Sequence, residues 1–529
     1  MSADYTAAAA GPGATLADSA RRIVPLAWPV FVGQVSVLAF GTIDTLLVAR
    51  ASATDLAALA VGGAAYITVF IGFMGVLLAL SPIVGQHFGA GRHAQAGRDV
   101  HQALWVAFGL ALLGSTLLAF PFPFLALSRV NPEVAEKVRG YLLALAFSLP
   151  ASLLFTVYRG FNTAVSRPKA VMLIQVSALL VKVPLSWALV FGVPALGVPA
   201  LGVVGCAIAT LISMWSQLIA AWLVLRRDPF YAPFDLWGRG LDRPDAKALR
   251  EHLKLGIPLG ASILVEVTGF AFMALFIARL GTTPAAGHQI AVNVVSLMFM
   301  MPLALGNATS TLVAQRIGAG DAWDAQRLGW HGLLVGCALA SLVGVAFYLL
   351  REPVLRLYTG NAVVVAAAMP LLAWVAVFHV ADAAQAIAAF VLRAYKITTI
   401  SVVVYVAALW GVGLGGGYGL AFNVGGNVPA ALQGAPGYWF ASTAGLVLAG
   451  VALSLILAWV LRQQRGGGAQ AADGKLSSKQ LPPPSCGRHS TWPPWRCAIW
   501  RTSASPRPTP PVRSAWPGRR KKGSKIRSR

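Results

Sequence analysis

Apolar runs of twenty or more residues recur along the chain, separated by short clusters of charged, Pro or Gly residues. A helix that crosses a bilayer needs about 20 mostly apolar residues. Segments of that kind lie near 23–48, 56–84, 101–127, 140–158, 169–192 and 203–225. A second set lies near 256–278, 286–314, 328–350, 363–392, 397–415 and 437–461. The pattern predicts an all-α polytopic membrane protein with twelve transmembrane helices. Composition agrees, because 57% of the residues are hydrophobic and only 11% charged, against about 25% charged in soluble domains.

The distribution of charge adds an orientation. The net charge is +24 over 529 residues, but from Arg465 onward there are 15 basic residues and one acid, Asp473. In the body before that point, 19 basic residues fall in the chain ends and loops of one side, among them Arg92, Arg98, Arg159, Arg167, Lys169 and Arg393. Seven fall on the other side, and Lys182 lies inside a span. The positive-inside bias predicts both termini in the cytoplasm and removes the need for a nucleic-acid partner. Arg21-Arg22, directly before the first apolar run, reads as the flank of a signal-anchor helix; the first twenty residues have no apolar core of a cleavable signal peptide. The four cysteines form no CxxC pair, and no GxxxxGK[ST] phosphate loop is present.

The two sets of six spans resemble each other at a constant offset of 229 residues. Pro29 matches Pro258, Ala49-Arg50 matches Ala278-Arg279, and "VGQHFGAGR" (84–92) matches "VAQRIGAGD" (313–321). Six helices per repeat give two parallel lobes about an axis along the membrane normal, an arrangement of secondary transporters. The expected division is a cytoplasmic segment 1–22, an N-lobe 23–225, a cytoplasmic linker 226–255, a C-lobe 256–462 and a tail 463–529, with a cleft between the lobes.

"LAWPVFVGQ", "IDTLLVAR", "DLAALAVG" and "PIVGQHFGAGR" resemble the first two helices of the multidrug and toxic compound extrusion (MATE) family, NorM-like branch. "ILVEVTGF", "AAGHQIAVNVVSLMFMMPLALGNATSTLVAQRIGAG" and "DAAQAIAAFVLRAYK" resemble its seventh, eighth and tenth helices. The resemblance covers roughly residues 20 to 462. It implies a secondary antiporter of the bacterial inner membrane, not an enzyme, that works as a monomer in the lipid bilayer. Its cargo would be small amphipathic organic cations, its driving ion Na+ or H+, with no further cofactor.

Three acids sit well inside spans: Asp44, Glu266 and Asp382. An ionisable residue at that depth is costly and usually lines an ion or substrate path. The resemblance matches Glu266 and Asp382, through "VEVT" and "ADAAQ", to the family's cation-binding pair, a sodium site if the protein is sodium-coupled. Asp44 would bind substrate or proton, with Gln34 as a polar neighbour; the alternative is a carboxylate paired for packing. Lys182 stands where the family more often has Asn. It would pair with Asp44 or else reach a polar internal surface without a role. His288, Gln289 and Asn293 on the eighth helix are candidate cavity residues. Phe378 replaces a Tyr found in relatives, which removes one oxygen from the site. His379 is either a proton relay or a structural histidine, and Pro29 is a candidate hinge.

Two rival functions remain at this stage. A flippase for a lipid-linked precursor would need a cationic cleft. An intramembrane enzyme would need a nucleophile–base pair or clustered metal ligands, whereas His288 and His379 are dispersed. After Gln464 the chain mixes Pro, Ser, Arg and Trp without periodicity, which reads as disordered. Its composition is that of a GC-rich gene translated out of frame; the alternative is a basic segment touching anionic lipid. Truncation after residue 465 is expected to leave ethidium efflux from cells unchanged, and loss of efflux would assign the tail a role.

Overall fold

The computed structural model describes residues 15–480, apart from 123, 126–130 and 239. Expectations for residues 1–14 and 481–529, including most of the tail, lie outside the described residues. The chain divides into two units, Met1–Arg465 and Gly466–Arg529. The described part of the second, 466–480, is helical, and everything below concerns the first.

Among the described residues, twelve helices are long and apolar enough to cross a membrane. They are α1 Leu16–Ala51, α2 Ala53–Gly89, α3 His93–Ala119, α4 Pro132–Ala164, α5 Pro168–Phe191 and α6 Gly202–Arg227, then α7 Ala246–Ala278, α8 Thr282–Gly318, α9 Ala322–Tyr358, α10 Ala362–Ala394, α11 Thr399–Ala421 and α12 Ala435–Arg462. No strand occurs among the described residues. In hydrocarbon a helix satisfies its own backbone, which is why the apolar runs adopt this form. Helix starts carry ordinary signals. Thr15 and Asp18 form a capping box on α1, Ser52 caps α2, and Pro132 and Pro168 open α4 and α5, where a missing N–H costs nothing.

Hydropathy misplaced one helix. The third span was expected at 101–127, but α3 runs from His93 to Ala119. It stops ahead of Pro121, which restricts the residue before it. It begins early because its polar first turns are satisfied by the connection between α6 and α7. His101 bonds Leu236 O and Asp242, at 3.0 and 3.1 Å. Gln102 donates to Arg243 O and accepts from Asp245 N. The expected linker 226–255 is shorter than the sequence suggested, because α6 runs to Arg227 and α7 starts at Ala246, and the stretch between them is packed, with a short 3-10 helix at Pro229–Phe234.

One apolar cluster is built from α1 to α6 and that connection, from Val48 to Leu236. Two others belong mainly to α7 to α12. α1 straddles the division: Val48 packs in the first cluster, whereas Ile23, Leu26 and Ala27 pack with Leu305, Ala308 and Leu312 of α8. The helix continues unbroken through Pro25 and Pro29.

The halves meet most tightly on the face that bears the 226–255 connection, here called the linker face. The two Gly-Ala-Gly turns cross there. A Cβ on Gly89 would stand 1.9 Å from Gln315 O, and one on Gly318 would stand 1.9 Å from Gln86 O. The two glutamines then reach reciprocally across. Gln86 donates to Ala394 O at the end of α10 (2.8 Å), and Gln315 donates to Ala164 O at the end of α4 (2.7 Å). Each repeat caps a helix end of the other, satisfying carbonyls that have no intrahelical partner. Beside this crossing Asp324 of α9 receives Arg22 of α1, Arg316 and Arg327. Gly72 and Gly75 of α2 also allow close contact with Leu264 and Gly260 of α7.

Ala at Gly89 or Gly318 must force the crossing apart, an overpacking cost of about 1–3 kcal/mol. Gly41→Ala and Gly109→Ala, where a Cβ meets nothing within 4 Å, should be neutral. Thermal unfolding of the four purified variants is expected to separate them into these two pairs.

Candidate functional site

Between the halves lies a cavity of about 500 Å³. Pro29, Gln34, Met74, Arg159 and Gln175 line it from the first half, and Glu266, Asp382, Gln385, Arg393 and Tyr405 from the second. α8 contributes Ser296, Met300, Leu303 and Asn307. These recur every three to four residues and so form one stripe of the helix. Gln289 and Asn293 extend the same stripe away from the linker face and are exposed, beyond the described cavity wall.

The acids Glu266 and Asp382 come from the middles of α7 and α10. Asp382, 4% exposed, accepts from Gln385 Nε2 at 2.9 Å, one helical turn along. Gln385 Oε1 in turn accepts from the Tyr405 hydroxyl of α11. The Gln385 amide is therefore fixed with its N–H2 toward Asp382. From Val406 to Gly416, α11 widens to a π-helix, a feature often found beside functional sites. Trp410 of that stretch donates to Val265 O, next to Glu266.

Sequence reasoning missed four residues here. Gln385 was detectable as the i+3 neighbour of Asp382 on a helix. Tyr405 was not, because only the packing of α11 against α7 brings it in. Arg159 and Arg393 were read as loop residues, but α4 and α10 continue as helices to Ala164 and Ala394 and carry both guanidiniums into the cavity wall. Arg159 donates to Gln34 Oε1 at 3.2 Å, and Arg393 lies over the Phe390 ring at 4.2 Å. The expected cavity of three acids and one lysine is corrected to two acids and two arginines.

Other candidates lie elsewhere. Asp44 is not on the cavity wall. Ten residues from Gln34 amount to 2.8 turns, which leaves it roughly 80° around the helix. It belongs instead to the buried face Gly33, Ser36, Phe40, Asp44 and Val48. There both its oxygens meet Lys182 Nζ of α5, at 2.6 and 2.5 Å. Lys182 is likewise outside the cavity. His288 is buried against Trp439, with ring centroids 5.9 Å apart. Phe378 packs on Phe270 and Trp439 and walls a small pocket behind Glu266. No cluster of three or more metal-ligating residues occurs among the described residues.

Two similar sets of six helices, sealed together at one face around a cavity with two carboxylates, form an architecture suited to a membrane transporter. The MatE family model matches residues 29–188 and again 258–418. A probable multidrug resistance protein NorM of Aromatoleum aromaticum is 40% identical over 451 residues, 84% of this chain and 94% of that protein. The multidrug resistance protein MdtK of Pectobacterium atrosepticum is 35% identical over 448 residues, 84% and 96% of the two chains. Among solved structures, a multidrug resistance MATE family transporter in an outward-facing conformation superposes with TM-score 0.76 at 19% identity, covering 85% of this chain and 97% of that one. The Vibrio cholerae transporter VcmN in its bent form gives 0.74 at 19%, with 85% and 98% covered. The chain belongs to the MatE family, and so to the multi-pass bacterial membrane transporters of multidrug efflux.

Asp44→Asn is expected to lower stability by about 3–5 kcal/mol, because it leaves the Lys182 ammonium buried without its carboxylate. Adding Lys182→Met should restore most of that loss in thermal unfolding of the purified protein.

Proposed function

We propose that this protein is an antiporter that exports amphipathic organic cations in exchange for Na+ or H+ by alternating access. The observation that carries the reading is the placing of Glu266 and Asp382 on the wall of a cavity between two repeats sealed at the linker face. Two carboxylates sharing a site favour a bound cation or a shared proton. A drug cation and the driving ion compete for the same negative charge, and that competition couples their fluxes. The apolar remainder of the wall, such as Phe299, Met300 and Phe390, suits flat hydrophobic bodies.

The linker face carries the basic loops and would face the cytoplasm, with both termini there and the protein monomeric in the inner membrane. Rocking the halves would then break the reciprocal Gln86 and Gln315 bonds and open the cavity inward. Phe378 brings no oxygen; the polar contacts beside Asp382 come from the Gln385 amide, which donates to it, and from the Tyr405 hydroxyl, which donates to Gln385 Oε1. Pro29, on the cavity wall, is positioned to bend α1 during such a change.

The flippase reading draws support from one observation, the pair Arg159 and Arg393. Glu266 and Asp382 in the same cavity repel phosphates and favour the cation exporter.

Ethidium efflux from proteoliposomes, with Na+ and pH gradients imposed separately, tests the proposal. One gradient is expected to drive efflux, and Glu266→Gln or Asp382→Asn should reduce the driven component at least tenfold, about 1.4 kcal/mol. Efflux that ignores both gradients and both substitutions would overturn it.

A further inference from the structure

The Asp44–Lys182 pair is a second charge centre that the cavity does not use. Lys182 is 1% exposed, and its ammonium bonds both carboxylate oxygens. The same Nζ lies 4.9 Å from the Phe40 ring centroid, a cation–π distance. The ammonium is thus fully engaged by the protein itself. The other groups that face Asp44 are the Cys206 thiol of α6 and the Tyr141 phenol of α4. Neither brings a second negative charge.

The second half is arranged differently. The repeat matches Asp44 to Met273 and Glu266 to Val37; past the third helix the offset becomes 230, as Ala164 and Ala394 show, so Lys182 matches Val412 and Asp382 matches Ser152. Charge therefore sits at non-equivalent positions in the two repeats. In the first half a carboxylate is closed by a lysine. In the second, two carboxylates share a centre whose hydrogen-bonded partner at Asp382 is the neutral Gln385. A free cation at the first centre would have to displace an ammonium that its own helix tethers in place.

We infer that Lys182 is a built-in counter-cation: it occupies the Asp44 carboxylate permanently, so the first half takes up no ion of its own and the Glu266–Asp382 centre alone carries the driving ion. This rests on the antiport reading above for the role of that centre. Lys182 is then the residue that sets how many ions move per substrate. Replacing it with a neutral side chain opens Asp44 as an additional site.

The test is the balance point of ethidium transport in proteoliposomes, the dye gradient at which net flux stops against a fixed ion gradient. One more ion per cycle multiplies that dye gradient by a further factor equal to the ion gradient. Lys182→Asn is expected to show that gain, and Asp44→Asn/Lys182→Asn to return to the parent value. In parallel, infrared spectra of the purified proteins in sodium-free buffer are expected to show a new protonated-carboxyl band in Lys182→Asn that the double variant lacks. An unchanged balance point, or a Lys182→Asn spectrum without that band, overturns the inference. Where Lys182→Asn exports nothing, the band decides. Failure of the antiport reading itself shows differently, as a parent protein with no balance point under either ion gradient.

Discussion

A charge placed in hydrocarbon must find its partner within the protein, because no water is there to solvate it. Three of the centres of buried acid meet that constraint in three ways. Asp324 is surrounded by Arg22, Arg316 and Arg327 and joins α1 to α9 at the linker face. Asp44 is closed by Lys182 within one half. Glu266 and Asp382 share a cavity wall, and Asp382 is bonded by neutral Gln385, which is held by Tyr405. The first two arrangements are complete as they stand. The third leaves two carboxyl groups facing the cavity, and the proposed cation site rests on that incompleteness.

The backbone obeys a related rule at the linker face. Helix ends leave carbonyls without intrahelical partners, and in a two-repeat protein each half can supply them to the other. Gln86 and Gln315 do so reciprocally, while Gly89 and Gly318 remove the side chains that would hold the two crossing helices apart. The seal is made of hydrogen bonds and close backbone contact, with an arginine cluster beside it. The cavity above and the seal below are therefore two aspects of one arrangement.

Much of this was readable from the chain. Twelve helices follow from twelve apolar runs, since hydrocarbon admits few alternatives to a helix. The repeat was visible in Gln-x-x-Gly-Ala-Gly, and the family in a handful of ordered motifs. Glu266 and Asp382 stood out because carboxylates are rare at that depth. The pairing of Lys182 with Asp44 was also foreseeable, because a buried ammonium needs a buried anion and few were on offer. The readings that failed all depended on direction around a helix or on where it ends. Asp44 and Gln34 share α1 but not a face. His288 is packed against Trp439. Arg159 and Arg393 lie at helix ends that hydropathy assigned to loops.

The sequence by itself determined which segments cross the membrane, that they form two related sets, and which ionisable residues lie deep. Those properties depend on composition and spacing along one chain, where the bilayer is the only partner that matters. Tertiary structure alone decided which deep residues share a space. It closed Asp44 with Lys182, brought Tyr405 through Gln385 to Asp382, and set two arginines opposite two acids in one cavity. Such pairings join helices far apart in the chain, and a helix can present any face to its neighbour. Packing chooses that face, and with it the chemistry of the site.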